Sequence, residues 1–266
     1  MMLRTLTLTL SMALAAASTA LPALAQDGPL KIEITDGVTE PMAIAIPAFH
    51  GDAEVAGRIR DVVAADLTGT GLFREIPRDA QVARPGSFGE AIAYEDWRAV
   101  NAQALVAAEV TQAGDAISVK FRLFDVYAGQ AQGDGMQFDA RAGDWRRAAH
   151  KCADLVYSRL SGESPFFDSK IAYIAETGPK DNRVKRLAIM DSDGANHRFL
   201  TNGQWTVLTP RFAPNQQTIT FMTYQDERPR VMVYELDSGQ TRPLVQQPRR
   251  QAPHDSRRRG HLLRRQ

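Results

Sequence analysis

From residue 26 onward the apolar positions follow mixed strand and helix periods, and near residue 161 the helical pattern stops for good. Leu30, Ile32 and Ile34 alternate with Lys31, Glu33 and Thr35, which predicts a strand. "MAIAIPAF" (Met42–Phe49) is a denser apolar run and predicts a strand covered on both faces. In "DAEVAGRIRDVVAADLTGTGLF" the residues Val55, Ile59, Val62, Val63 and Leu67 fall on one helical face, with Asp52 as N-cap and Gly69 and Gly71 as the stop. "LFREI" returns as a short strand, and a short helix is predicted at Tyr94–Val100. Strands at Ala104–Thr111 and Ile117–Asp125 flank a Gly-Asp turn, the second alternating through Ile117, Val119, Phe121 and Leu123. A further strand reaches Phe138. A helix follows over Trp145–Leu160, with Ala148, Ala149, Cys152, Leu155 and Val156 at helical spacing. Strands mixed with two or three covering helices over residues 26–161 predict a compact N-terminal α/β (α+β) domain.

Gly162 and Pro165 in "SGESPFFDSK" end the last helix, and everything beyond is strand and turn. Two stretches there repeat. Ile171–Ala175 matches Ile219–Thr223, "RLAIMDSDG" matches "VMVYELDSG", and "HRFL" matches "TRPL". "LTPRFAPNQQ" lies between them as a strand and a Pro-Asn turn. The period is 44–48 residues with four short strands per unit, the repeat of a propeller blade. A lone four-stranded sheet leaves its faces open, whereas blades around an axis cover one another. Residues 165–248 are therefore expected to be the start of a β-propeller. A β-sandwich is the other reading of the same strands.

Charge changes the picture at both ends. Of 32 basic and 31 acidic residues, the first 25 positions hold one Arg and no acid, and the last 18 hold seven Arg and one Asp. Residues 26–248 keep 24 basic and 30 acidic residues, which argues against nucleic acid as a partner. The N-terminus has Arg4, an apolar stretch and Ala23-Leu24-Ala25 before Gln26, so residues 1–25 read as a signal peptide cut between Ala25 and Gln26. The mature chain is then expected outside the cytoplasm, with no transmembrane segment. Cys152 is the sole cysteine, so no internal disulfide can form, and its helical spacing reads as a small buried hydrophobe.

Catalytic and metal motifs are sparse. The nucleophile elbow G-x-S-x-G is absent, and "RPGSFG" does not fit it. His50, His150, His197, His254 and His261 stand in no ligand spacing. "MDSDGANH" from Asp191 invites a calcium loop, but its Gly is fourth, and Ala195 and Asn202 occupy positions five and twelve. It reads instead as a strand-end turn whose Asp side chains satisfy backbone donors. No cofactor, metal site or catalytic residue is expected.

The leader, the "LKIEITDGV…MAIAIPAF" opening, the mixed unit and the "LTPRFAPNQQTITFMTY" repeat, in this order from Gln26 to about Val245, resemble the TolB family. Its members are periplasmic components of the Tol–Pal envelope system of Gram-negative bacteria. "PRFAPNQQTITFMT" is similar to the family's P-x-[WF]-S-P-D-G-x-x-I-A-F blade pattern, with Asn215-Gln216 where Asp-Gly is usual. The resemblance implies a six-bladed propeller, of which fewer than two blades are present. It implies a non-enzymatic scaffold that links TolA, through the N-terminal segment, to the lipoprotein Pal, on the propeller face, in support of outer-membrane integrity and cell division. The alternative function is an accessory fragment of a propeller-containing periplasmic hydrolase or peptidase.

The partner-binding arm is Gln26, Asp27, Gly28, Pro29, Leu30, Lys31, Ile32, Glu33 and Ile34, short and alternating as a strand that adds to a partner's sheet would be. Its other reading is an ordinary first strand of the α/β domain. After Val245 the family pattern calls for another strand, but Arg249 onward is Arg-rich and has no alternation. Residues 249–266 are expected to be an out-of-frame or otherwise aberrant end, the other reading being a basic tail for membrane or RNA. The first domain is expected to fold alone, and the blades to be unstable.

Overall fold

The computed structural model describes residues 40–81, 88–225 and 227–244. The arm Gln26–Ile34, the cleavage point Ala25/Gln26 and residues 249–266 lie outside them.

The first strand, β1 (Met42–Ala45), is wholly buried. It is shorter than the apolar run predicts. Pro47 has no N–H for a ladder, and the chain turns after Ile46 into the two-residue β2 (His50–Gly51). Gly51 has φ +100°, and a Cβ there would lie 1.7 Å from the Val110 carbonyl oxygen. Only glycine fits this approach, because β2 runs beside the strand carrying Val110. Helix α1 (Ala53–Gly69) starts next, and the Asp52 carboxylate accepts the N–H groups of Glu54 and Val55, both at 3.2 Å, as its cap. At the far end the Thr70 hydroxyl donates to the Leu67 carbonyl, and Gly71 takes φ +74°.

The strands β3 (Phe73–Glu75), β4 (Ala104–Ala113), β5 (Ala116–Asp125), β6 (Gln130–Ala131) and β7 (Met136–Arg141) complete a seven-stranded sheet. Its order is β3-β1-β4-β5-β6, with β2 beside β4 and β7 beside β5. β1 is parallel to β3 and β4, while β4 and β5 form a long antiparallel hairpin over the Gly114-Asp115 turn. Helices α1 and α3 (Trp145–Ser161) cover one face, burying Ile59, Val63, Leu67, Ala149, Cys152, Val156 and Leu160 against Ile44, Val106, Val119 and Phe121. Helix α2 (Tyr94–Ala99) covers the other face, where Trp97 sits among Ala43, Ala45, Leu105 and Phe124. Coverage on both faces is why β1 and the first half of β4 carry no alternation.

Helix α3 ends at Gly162 in the left-handed region, with its N–H on the Ser158 carbonyl. Two separate sheets follow. β8 (Lys170–Thr177), β9 (Val184–Asp191) and β10 (Arg198–Phe199) form the first, in the order β10-β9-β8. β11 (Thr206–Phe212), β12 (Thr218–Gln225), β13 (Arg228–Glu235) and β14 (Thr241–Pro243) form the second, in chain order and antiparallel throughout. The repeated stretches thus take equivalent places: β8 matches β12, β9 matches β13 and β10 matches β14. β11 has no counterpart in the first sheet among the described residues. Leu187 and Ile189 from the first sheet close a core with Val207, Ile219, Phe221, Met232 and Tyr234 from the second. This stacking of one sheet on the next is the start of a propeller, and neither sheet continues the N-terminal one.

Candidate functional site

The chemistry outside the arm gathers where the N-terminal sheet and its helices meet the first propeller sheet. α3 runs amphipathic along its length, but among its buried residues stands one titratable imidazole, His150, 2% exposed. Its Nδ1 lies 2.7 Å from Oδ2 of Asp66, on the buried face of α1. Its Nε2 is buried without a hydrogen-bond partner and faces Oδ2 of Asp193 at 3.6 Å. Asp193 belongs to the turn after β9, in the propeller part, and also pairs with the Arg146 guanidinium. Burial of His150 works against its cation, but the hydrogen bond and charge of Asp66 and the charge of Asp193 outweigh it and raise its pKa. Burial likewise works against the Asp193 carboxylate. The Arg146 hydrogen bond, the Ala195 N–H and the charges of Arg146 and His150 prevail, holding it below the usual carboxylate range.

The connection between α3 and β8 is tied down by one carboxylate. Asp154 accepts the backbone N–H groups of Phe166 and Phe167 through Oδ1, at 2.8 and 2.7 Å, and of Asp168 through Oδ2, at 3.0 Å. Asp168 in turn pairs with Arg147 and Lys151 of the same helix. Phe166 and Phe167 meet the Tyr157 ring edge-on, and the Ser192 hydroxyl donates to the Phe167 carbonyl at 2.6 Å. Beside these contacts is a cavity of about 480 Å³ between α3, the connection and both propeller sheets. Arg147, Lys170 and Arg198 line it, and so do Asp168, Asp191 and Asp237. With both signs of charge interleaved, its wall selects no single ligand charge.

The "MDSDGANH" stretch is a strand-end turn, as its sequence suggests, but of its two carboxylates Asp193 takes a backbone donor and Asp191 takes side-chain donors. Asp191 accepts from Lys170 Nζ at 2.6 Å and from Asn196 Nδ2 at 2.5 Å, and the Asp193 carboxylate accepts the Ala195 N–H at 3.0 Å. These oxygens are occupied by protein donors. Among the described residues, Asp66, His150 and Asp193 are the group whose donor atoms lie close enough to share a metal, within 4.8 Å of one another. The Arg146 guanidinium already supplies the cation on Asp193, and Asp66 engages the opposite nitrogen of the ring. Cys152 is fully buried, and burial pushes its thiol up, away from nucleophile chemistry.

Sequence reasoning placed His150 in no ligand spacing and missed its partners. One signal was available. Asp66 follows Val62 and Val63 by three or four residues, so it sits on the apolar face of its helix. A carboxylate in that place is buried, and a buried carboxylate requires a partner.

Comparison with known proteins bears on most of the chain. Residues 30–132 match the TolB amino-terminal domain, and residues 157–254 match the TolB beta propeller domain. Together these cover more than half of the chain. A Tol-Pal system protein TolB from Cereibacter sphaeroides is 50% identical over 233 residues, 86% of this chain and 52% of that protein. One from Roseobacter denitrificans is 52% identical over 231 residues, 85% of this chain and 52% of its own length. The crystal structure of TolB from Acinetobacter baumannii superposes with a TM-score of 0.69 at 23% identity, covering 81% of this chain and 52% of that one, a likeness of fold. The chain spans about half the length of the curated relatives it matches.

Proposed function

Because the chain belongs to the TolB family, we propose that it is a non-enzymatic scaffold of the Tol–Pal system, acting in the periplasm after cleavage between Ala25 and Gln26. The observation that carries this reading is the joining, in one chain, of the family's amino-terminal domain to the start of its propeller. Both are architectures that present surface to other proteins.

The arm Gln26–Ile34 adds as a strand to TolA, and the propeller face engages Pal, linking the inner-membrane partner to the outer membrane and supporting its integrity and its invagination at division. Alternation of Leu30, Ile32 and Ile34 supports strand addition, since main-chain hydrogen bonds give affinity and every second side chain meets a pocket. Association with the envelope is assigned to these partners. Among the described residues no helix is long and apolar enough to cross a membrane.

The test is binding of the purified chain to the C-terminal domain of TolA by titration calorimetry, with and without residues 26–34. Binding that disappears on deletion supports the arm. Binding that is unchanged removes it, and a chain that binds neither TolA nor Pal removes the scaffold reading.

A further inference from the structure

Between α3 and β8 the chain passes from one unit to the other, and a buried imidazole stands at the junction. His150 touches Asp66 of α1 on one side and faces Asp193 of the propeller turn on the other. When Nδ1 donates to Asp66, a neutral imidazole turns the lone pair of Nε2 toward the Asp193 carboxylate, two acceptors face to face. A protonated imidazole turns an N–H toward the same oxygen. One proton therefore reverses the sign of this contact. The 3.6 Å separation and the unsatisfied Nε2 are what a contact poised between these two conditions would show.

We propose that His150 is a proton-operated latch between the α/β domain and the first propeller sheet, closing on Asp193 when charged and releasing it when neutral. In the released state Arg146 remains as the tether on Asp193.

The groups facing the ring are few. Asp66 comes from α1, Arg146 from one turn earlier on α3, and Asp193 from the turn after β9. Farther out along the cavity wall, Asp168 is held by Arg147 and Lys151, Asp191 is held by Lys170, and Arg198 comes from β10. The two carboxylates that touch or face His150 favour its charged form against burial. With the folded pKa raised above the ordinary imidazole value of 6.5, the latch is closed below that value and opens as pH rises through the raised one.

The experiment is hydrogen exchange on the full chain, corrected for the intrinsic pH dependence of exchange, comparing about pH 6, below the ordinary imidazole value, with about pH 8.5, above it. The peptides read are those covering the Asp191–Asn196 turn and the 162–169 connection. The expected result is a several-fold loss of protection in both at the higher pH. His150→Gln is the direct variant, and because it alters a buried position, Asp193→Asn is used beside it, since that residue sits in a surface turn. Asp193→Asn should show reduced protection at both pH values with no pH-dependent step. Protection in the unmodified chain that does not change with pH overturns the latch. So does a pH step of the same size in Asp193→Asn.

Discussion

Asp66 and His150 stand 84 residues apart in the chain and meet at 2.7 Å beneath the surface, each a polar member of an otherwise largely apolar helix face. Neither could be buried alone, because an isolated charge or an unpaired imidazole in the core forfeits its hydration. Buried together they fix how α1 and α3 lie across the sheet, and they place the second ring nitrogen of His150 at the boundary with the propeller.

Asp66→Asn should destabilise the chain by about 3–5 kcal/mol near pH 6, because it removes the carboxylate in direct contact with the buried ring and leaves only the more distant Asp193. The sign with pH follows from the raised pKa of His150. Its contribution is complete below 6.5 and disappears as pH climbs through the folded value. The difference between the two proteins should therefore shrink in alkaline buffer. Urea denaturation at about pH 6 and about pH 8.5 measures both quantities. A gap that widens with pH would contradict the assignment.

Gly51→Ala should cost on the order of 3 kcal/mol, since the residue is held at φ +100° and the new methyl meets the Val110 carbonyl. The loss should appear as a lowered melting temperature with the fold retained. Gly57, in α1, has open space around its Cβ position, and Gly57→Ala should be neutral or stabilising by about 0.5–1 kcal/mol. The pair separates steric demand from mere presence of glycine.

Gln216→Gly should stabilise the second sheet by about 0.5–1 kcal/mol. Gln216 occupies the left-handed region at φ +55°, in the turn where Asn215 accepts the Gln217 N–H. Glycine, which the blade pattern carries at this place, adopts that conformation without Cβ strain. The check is a denaturation curve followed by a probe in β12–β13.

Asp154→Ala should loosen the connection. It removes the acceptor of three backbone N–H groups, on Phe166, Phe167 and Asp168, each of which then needs water. Limited proteolysis should cut within residues 162–169 at least several-fold faster than in the unmodified chain, while α3 keeps its helical signal.

Ile219→Ala should cost about 2–5 kcal/mol, because Ile219 is fully enclosed in the core between the two propeller sheets. Val231→Thr, on the same sheet but nearly half exposed, should stay within about 0.5 kcal/mol. Equal effects at the two positions would mean that the sheets do not stack as described.

Much of this architecture is legible in the order of residues. Helix α1 with its Asp52 cap, the β4–β5 hairpin over Gly114-Asp115, the end of α3 at Gly162 and the repeated strands of the propeller all follow from spacing between near neighbours. Turn chemistry and the periods of 2 and 3.6 act within a few residues, so local sequence is enough to specify them. The tertiary structure alone decided the parallel placement of β1 between β3 and β4, the side-by-side approach of β2 to β4 that makes Gly51 obligatory, and the three-stranded make-up of the first propeller sheet. It also decided that Asp66, His150 and Asp193 share one junction. Those relations join positions far apart in the chain. They are fixed only when whole apolar faces find one another and the polar groups carried inside must pair with what they meet there.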